Sequence, residues 1–528
     1  MQIIKLGDDM FKNLFNKKKQ DNSNDTKEIK KKPKQKGLVK SLDDNIALFK
    51  YIFKDDETLI IRNFQNKQLK EANCCIIYID GMVNTEIVNE NIIQPVLRND
   101  LSVDIESDNL LEELKRKVIV SNEVTTKTDI DKITSSVIYG DTLFLLDGYD
   151  KALVINSKLW LTRAITEPES ARVIRGPREG FNESIIINLS MLRRKINNSN
   201  LKFKFREMGE RTLTKVCVCY IDDLVMDGVL DELNQRLNSI KIDAILDSGY
   251  IQELIKDAPY SPIETVGASE RPDVIAAKLL EGRVAIFVDG SPFVLTVPCL
   301  GIENLQINED YYNNYFFSSF NRLIRTTTAV ASIAIPALFL SLVTYHQEML
   351  PTPLLVSISS SRQGVPFPTS LSLFIMLFIF DILREAGTRM PSSIGMAINI
   401  VGTLVLGQAA VEARLVSAPV IIVTAITGIT SLMNIGFVGP IVIFRAFLLL
   451  GASFYGFYGF FFCLIFIILH LMSIRSFGVP YMMSVTTVSN HNGQDAWIRA
   501  PWWVMTLRPK IIGDKNLTRQ STGKIEGK

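Results

Sequence analysis

No lysine lies between Lys278 and Lys510, and the longest apolar runs of the chain fall inside that window. A chain built this way meets two solvents: uninterrupted apolar segments suit lipid, whereas the preceding 320 or so residues carry most of the charge. Whole-chain averages of 47% hydrophobic and 22% charged residues conceal the partition. A uniformly soluble protein is excluded, and so is a wholly embedded transporter. At 528 residues the chain is also too long for a single core.

The 58 basic and 56 acidic residues nearly cancel, so no nucleic-acid partner is expected. Eleven lysines between Lys12 and Lys40 face only Asp21, Asp25 and Glu28. Residues 1–57 are therefore expected to form a basic, disordered arm, read as a solvated leader rather than a lipid-binding one. Met1 to Leu14 lacks the apolar core and small-residue site of a secretory signal, so the N-terminal half is expected in the cytosol. Cys74, Cys75, Cys217, Cys219, Cys299 and Cys463 sit at adjacent or alternate positions or singly, mostly inside apolar runs, and are read as reduced core thiols. Zinc would need more ligands at its usual spacings than His346, His470 and His491 add. No metal or cofactor is expected.

Two stretches repeat at one offset. CCIIYIDGMV (74–83) matches VCVCYIDDLV (216–225), and GDTLFLLDG (140–148) matches GRVAIFVDG (282–290), both 142 residues apart. Two matches at one offset indicate two related α/β subdomains, placed at 58–165 and 200–321 and joined by a connector at 166–199. Each opens with a buried strand followed by a helix, such as 84–97 or 228–237, and each closes with a hairpin. Asp147-Gly148 and Asp289-Gly290 supply the hairpin turns, a structural role. In the connector, Val173 to Phe181 contains Arg175, Arg178 and Glu179 between glycines. It lacks the lysine and hydroxyl of a P-loop, so a subdomain or subunit contact is expected in preference to an anion cradle. No catalytic triad or carboxylate pair is recognisable, and the chain is read as a non-enzyme.

Residues 322–474 form the expected helical membrane domain, followed by a cytosolic tail at 475–528. Five apolar segments appear at 326–345, 371–383, 394–411, 418–435 and 438–472. The second is short for a crossing, and the last is long enough for one crossing plus an interfacial or re-entrant piece. Basic residues before the first segment, at Arg384 and Arg389, and after the last mark the cytosolic side. Both termini inside demands an even number, so four crossings are favoured, with six as the alternative. In the third segment Ile394, Ile398, Val401, Val405, Gln408 and Glu412 form one helical stripe, and Gly395, Gly402, Ala409 and Ala413 a small-residue seam. The stripe suits a pore lining with an apolar constriction and a carboxylate mouth; ordinary bundle packing would use the same residues. Asp381, Arg384 and Glu385 are read as a cluster at the inner interface, and Arg445 as marking an interfacial stretch rather than a deep ion site.

The stretches 174–180 (IRGPREG), 247–250 (DSGY), 281–284 (EGRV) with Asp289-Gly290, 364–368 (GVPFP), 383–387 (LREAG), 407–411 (GQAAV) and 499–503 (RAPWW) resemble the A subunit of GerA-family spore germination receptors. The resemblance runs from about residue 58 to 510. It implies a nutrient-responsive receptor, multi-pass in the inner membrane of the spore with both termini on the core side. It also implies a permease-like B subunit and a lipoprotein C subunit as partners, and a homo-oligomer, taken as a pentamer, that conducts monovalent cations. A carrier component or a non-conducting scaffold for the sensing subunit are the alternatives. The family commonly carries glutamates where this chain has Ser372 and Leu377, and a glutamine at Met396. That departure leaves Asp381 and Glu412 as the acidic positions.

Overall fold

The computed structural model describes residues 37–65, 73–98, 111, 114–115, 119, 123–159, 173–389, 407–483, 495–505, 507–508, 516 and 518–519. Leu42, Ile46 and Phe49 recur three to four residues apart, and the Ser41 hydroxyl accepts from the Asp44 amide at 3.3 Å, which starts helix α1 (Leu42–Ile52). Five strands follow: β1 (Leu59–Gln65), β2 (Asn73–Ile79), β3 (Val124–Lys127), β4 (Asp141–Leu146) and β5 (Ala152–Asn156). They are ordered β1-β2-β4-β5-β3 with every pairing antiparallel. Successive β2 side chains alternate between faces. Cys75, Ile77 and Ile79 pack against α1 and helix α2 (Ile130–Ile138), while Cys74 and Ile76 pack against Val88, Ile92 and Val96. Layers on both faces account for a strand that is apolar throughout.

The second copy runs α3 (Ile185–Lys195), β6 (Leu201–Met208), β7 (Thr214–Ile221), α4 (Asp227–Ser239), α5 (Ser248–Ile255), β8 (Gly267–Ser269), α6 (Pro272–Leu280), β9 (Val284–Val288) and β10 (Val294–Val297). Its sheet has the same order, β6-β7-β9-β10-β8, again wholly antiparallel. The registers coincide as well: Thr125 pairs with Val154, and 142 residues later Gly267 pairs with Thr296. The soluble half is thus a mixed helix-and-sheet structure, as expected.

Four elements differ from the sequence reading. Each copy opens one strand earlier than expected, at β1 and β6, where Arg62, Lys202, Lys204 and Arg206 break up the apolar signal. Helices α1 and α3 occupy stretches assigned to the disordered arm and to the connector. Their sequences share too little to reveal a repeat, yet they are equivalent. The Asp147 carboxylate accepts from the Leu42 amide, and the Asp289 carboxylate from the Ile185 amide, each at 3.1 Å. Gly148 and Gly290, at φ +85° and +84°, donate to the Lys40 and Glu183 carbonyls. Each Asp-Gly pair therefore turns a hairpin and also holds the first turn of the preceding helix.

The copies meet at a buried ion pair. Arg193 of α3 donates to Asp56 at 2.6 Å, and its guanidinium stacks on Phe203 at 4.7 Å. The five cysteines of the soluble half are buried, and burial pushes the Cys74 and Cys75 thiols up to about 12.

Beyond residue 314 the chain is helical: α7 (Tyr315–Thr344), α8 (Thr352–Ser361), α9 (Thr369–Arg389), α10 (Ala418–Leu432) and α11 (Val438–Ser473). Among the described residues α7 and α11 are long and apolar enough to cross a membrane. Helix α9 extends the short second segment to 21 residues, about 32 Å.

The 36-residue run of α11 is two arms that double back at Gly456, whose φ of +56° and ψ of −133° are non-helical. The Phe447 and Phe466 rings lie 5.7 Å apart, where a straight helix would separate them by about 28 Å. Gly451 and Gly459 let the arms touch, since a methyl on Gly459 would run into the Gly451 carbonyl. At the turn the Tyr345 hydroxyl donates to the freed Ser453 carbonyl at 2.5 Å, and His346 stacks on Phe457 at 4.9 Å. Asn434, just before α11, donates to Thr328 near the start of α7 at 3.2 Å, so the first arm runs parallel to α7. The second arm returns to the soluble half, where His470 Nε2 lies 2.9 Å from the Ser261 hydroxyl.

Candidate functional site

Helix α7 begins against the soluble half, and its base is held by charge. Arg322 and Arg325, three residues apart on one face, are 0% and 7% exposed. Asp310, in the turn before α7, accepts from Arg322 Nε at 3.3 Å and from Arg325 Nη2. Arg322 Nη1 also donates to the Asp495 carboxylate at 2.8 Å, and Arg325 Nη1 to the Leu305 carbonyl at 2.6 Å. The Tyr311 hydroxyl donates to Asp495 at 2.6 Å, and burial next to that carboxylate pushes the phenol well up. Read in sequence as markers of the cytosolic side, these arginines weld three pieces together: the end of the second copy, the first apolar helix and the segment after the last one. A motion of the soluble half reaches the helices through these bonds. Asp310 precedes the apolar window by only a few residues and was legible as a partner; Asp495, over 170 residues away, carried no such signal.

A second charged set closes one corner of the second copy. Glu303 accepts from Arg283 and lies 3.0 Å from Lys278 Nζ. Burial alone would raise this carboxyl, but Arg283 and Lys278 outweigh it and hold it down at about 2. At the matching corner of the first copy Asp141 takes the position of Arg283 and pairs with Lys158 at 3.1 Å. There the corner is an open cleft of about 620 Å³, lined by Lys127, Ser136, Tyr139 and Asn156 among others. Its volume lies in the range of small-molecule pockets, but its groups largely satisfy one another: Lys127 donates to Ser136 at 2.6 Å.

Within the helical region Asp381 of α9 takes two arginines. Arg445 Nη2 donates to it at 2.6 Å and Arg384 lies 3.0 Å away, while Glu385 pairs with Arg389 at 2.7 Å. The expected interfacial place for Arg445 is therefore corrected. The side chain is 3% exposed, inside the first arm of α11, because a carboxylate on a neighbouring helix compensates it. Of the predicted pore stripe and seam, Ile394, Ile398, Val401, Val405, Gly395 and Gly402 lie outside the described residues. Gln408, Ala409, Glu412 and Ala413 are all exposed, on a short helix whose Ala410 packs inward. Of the predicted contact residues, Glu179 pairs with Arg194 and Lys195 of α3, Arg175 and Arg178 are exposed, and Gly176 abuts the Tyr312 ring. The link between the copies falls instead to Arg193 and Asp56, which no motif marks.

Residues 47–511 match the family described as Bacillus/Clostridium GerA spore germination protein. Over 482 residues the chain is 38% identical to spore germination protein KA of Bacillus subtilis, covering 91% of this chain and 88% of that one. It is 39% identical over 436 residues to the uncharacterized membrane protein YfkQ of the same organism, covering 82% and 84%. The crystal structure of the N-terminal domain of the A subunit of the Bacillus megaterium spore germinant receptor GerK3 aligns with a TM-score of 0.41 and 32% identity, covering 50% of this chain and 97% of that one.

Proposed function

The chain belongs to the GerA family of spore germination proteins, and from that premise we propose that it is the A subunit of a nutrient-responsive germinant receptor that assembles as a ring and gates a path for monovalent cations. In this reading it crosses the inner membrane of the spore and works with a permease-like B subunit and a lipoprotein C subunit, without catalysing a reaction. The helices alternate in direction, and the doubling of α11 at Gly456 supports six crossings in place of the four favoured from sequence.

One observation carries the channel reading. Gln408 and Glu412 of the stripe, and Ala409 and Ala413 of the seam, all face away from the chain's own helices. Ordinary packing within one bundle would cover the small-residue seam. Exposed, it is free for close approach by a neighbouring copy, with Gln408 and Glu412 turned toward a shared axis. The buried bonds of Arg322 and Arg325 supply the route by which the soluble half pulls on α7.

The test has two parts. Native mass spectrometry of the full chain in mild detergent is expected to show a closed ring, about five copies. Cation flux through reconstituted receptor is expected to change when Val401 or Val405 is replaced by a bulky or charged residue. A monomer in the presence of its partners, or unaltered flux in an assembled receptor, refutes the channel.

A further inference from the structure

Asp381, Arg384 and Arg445 sum to a charge of +1, in a region where the helices are otherwise apolar. Arg445 spends Nη2 on Asp381, and its buried Nη1 has no hydrogen-bond partner. Asp381 lies eight residues from the Arg389 end of α9, and Arg445 seven from the start of α11. Both are thus about 10–12 Å along helices of about 27–32 Å. At that depth an uncompensated guanidinium costs about 2.5–3.5 kcal/mol on insertion scales.

No carboxylate of this chain completes the set. Glu385 is taken by Arg389. The sequence of 390–406 contains neither Asp nor Glu. Glu412 lies two residues from Arg414, which meets Gly364 near the opposite end of α9. The cluster is nevertheless reachable, because the side chains of Arg384 and Asp381 keep 17% and 19% of their surface. Beside it α9 presents an exposed apolar ridge at helical spacing: Leu371, Ile375, Phe378 and Ile382.

We propose that this cluster is a docking point for an acidic side chain carried by a membrane helix of another subunit. The partner helix lies along the α9 ridge, and its carboxylate takes the open donors of Arg384 and Arg445, bringing the set to neutrality. The inference rests on the reading that this region is embedded in a membrane.

The experiment uses the full chain in phosphatidylcholine vesicles with a synthetic leucine-rich transmembrane peptide bearing Asp about 12 Å from one end, alongside versions with Leu or Asn there. Association is followed by energy transfer between labels. The Asp peptide is expected to bind about ten-fold more tightly than the Leu peptide, as one interhelical polar contact of 1–2 kcal/mol provides. R384Q, which leaves Asp381 and Arg445 in balance, is expected to remove the preference. D381N, which frees both arginines, is expected to enlarge it, a result that a purely structural cluster would not give.

Equal binding of the Asp and Leu peptides by protein that floats with the vesicles overturns the docking point alone. Abolition of the preference by phosphatidylglycerol reassigns the cluster to lipid phosphate and likewise overturns it. Self-association of the chain that competes with the peptide makes the partner a second copy. Protein that does not float overturns the membrane reading and the docking point together.

Discussion

Glu303 offers the most direct test of the electrostatics. Arg283 and Lys278 draw its carboxyl down from 4.5 to about 2, against the opposing effect of burial. A depressed carboxyl stabilises the fold above its unfolded value, and that stability is lost as pH falls through the folded one. The window is therefore about pH 5 down to 2, and a shift of about 2.5 units corresponds to about 3 kcal/mol. The substitution E303Q keeps the shape and an acceptor but removes the titrating charge. Above pH 5 it is expected to unfold about 6–12 °C lower than the parent chain, at about 2–4 °C per kcal/mol. As pH falls toward 2 the two curves converge. The assay is thermal unfolding of the full chain in detergent from pH 2 to 7, followed by intrinsic fluorescence. Parallel curves, with E303Q displaced equally at every pH, would refute the argument, since they would show that Glu303 does not titrate in that window. Glu281, whose carboxyl burial pushes up, acts with the opposite sign and does not produce the convergence.

The junction at the base of α7 predicts that D310A, which strips a carboxylate from two buried arginines, costs about 3–5 kcal/mol in chemical denaturation, whereas an exposed pair such as Arg211–Asp243 costs under about 1. Between the copies, D56A is expected to cost a similar 3–5 kcal/mol, and the double change D56L with R193M much less, because no unpaired charge is then left buried; a denaturation cycle over the four proteins measures this. Maleimide labelling of the native chain is expected to modify Cys463 and to spare the five buried thiols of the soluble half until denaturant is added, as read by mass spectrometry. Replacing Gly459 with leucine is expected to force the two arms of α11 apart, abolishing a disulfide engineered between positions 447 and 466 that forms in the parent background.

The duplication was legible because β2 and β7, and β4 and β9, are central strands covered on both faces, so their composition is restricted at every position. Edge strands β1 and β6 have freer positions, and α1 and α3 need only one apolar side, so these diverged until pattern alone no longer paired them. The arginines Arg322, Arg325 and Arg445 were visible as charges beside or inside apolar runs. Their partners were not, because Asp495 and Asp381 arrive from distant parts of the chain.

The sequence by itself determined the partition into a charged half and an apolar half, the repeated sheet core, the hairpin turns at Asp147-Gly148 and Asp289-Gly290, and the family. Each is written in local composition and spacing, which follow from the solvent a segment meets and the angles a turn requires. Tertiary structure alone decided that the 36 residues of α11 form two arms, that α1 and α3 belong to the repeat, and that each buried arginine has a particular carboxylate. One glycine φ reverses a helix, and an ion pair depends on where two distant segments come to rest; neither is set by the residues nearby.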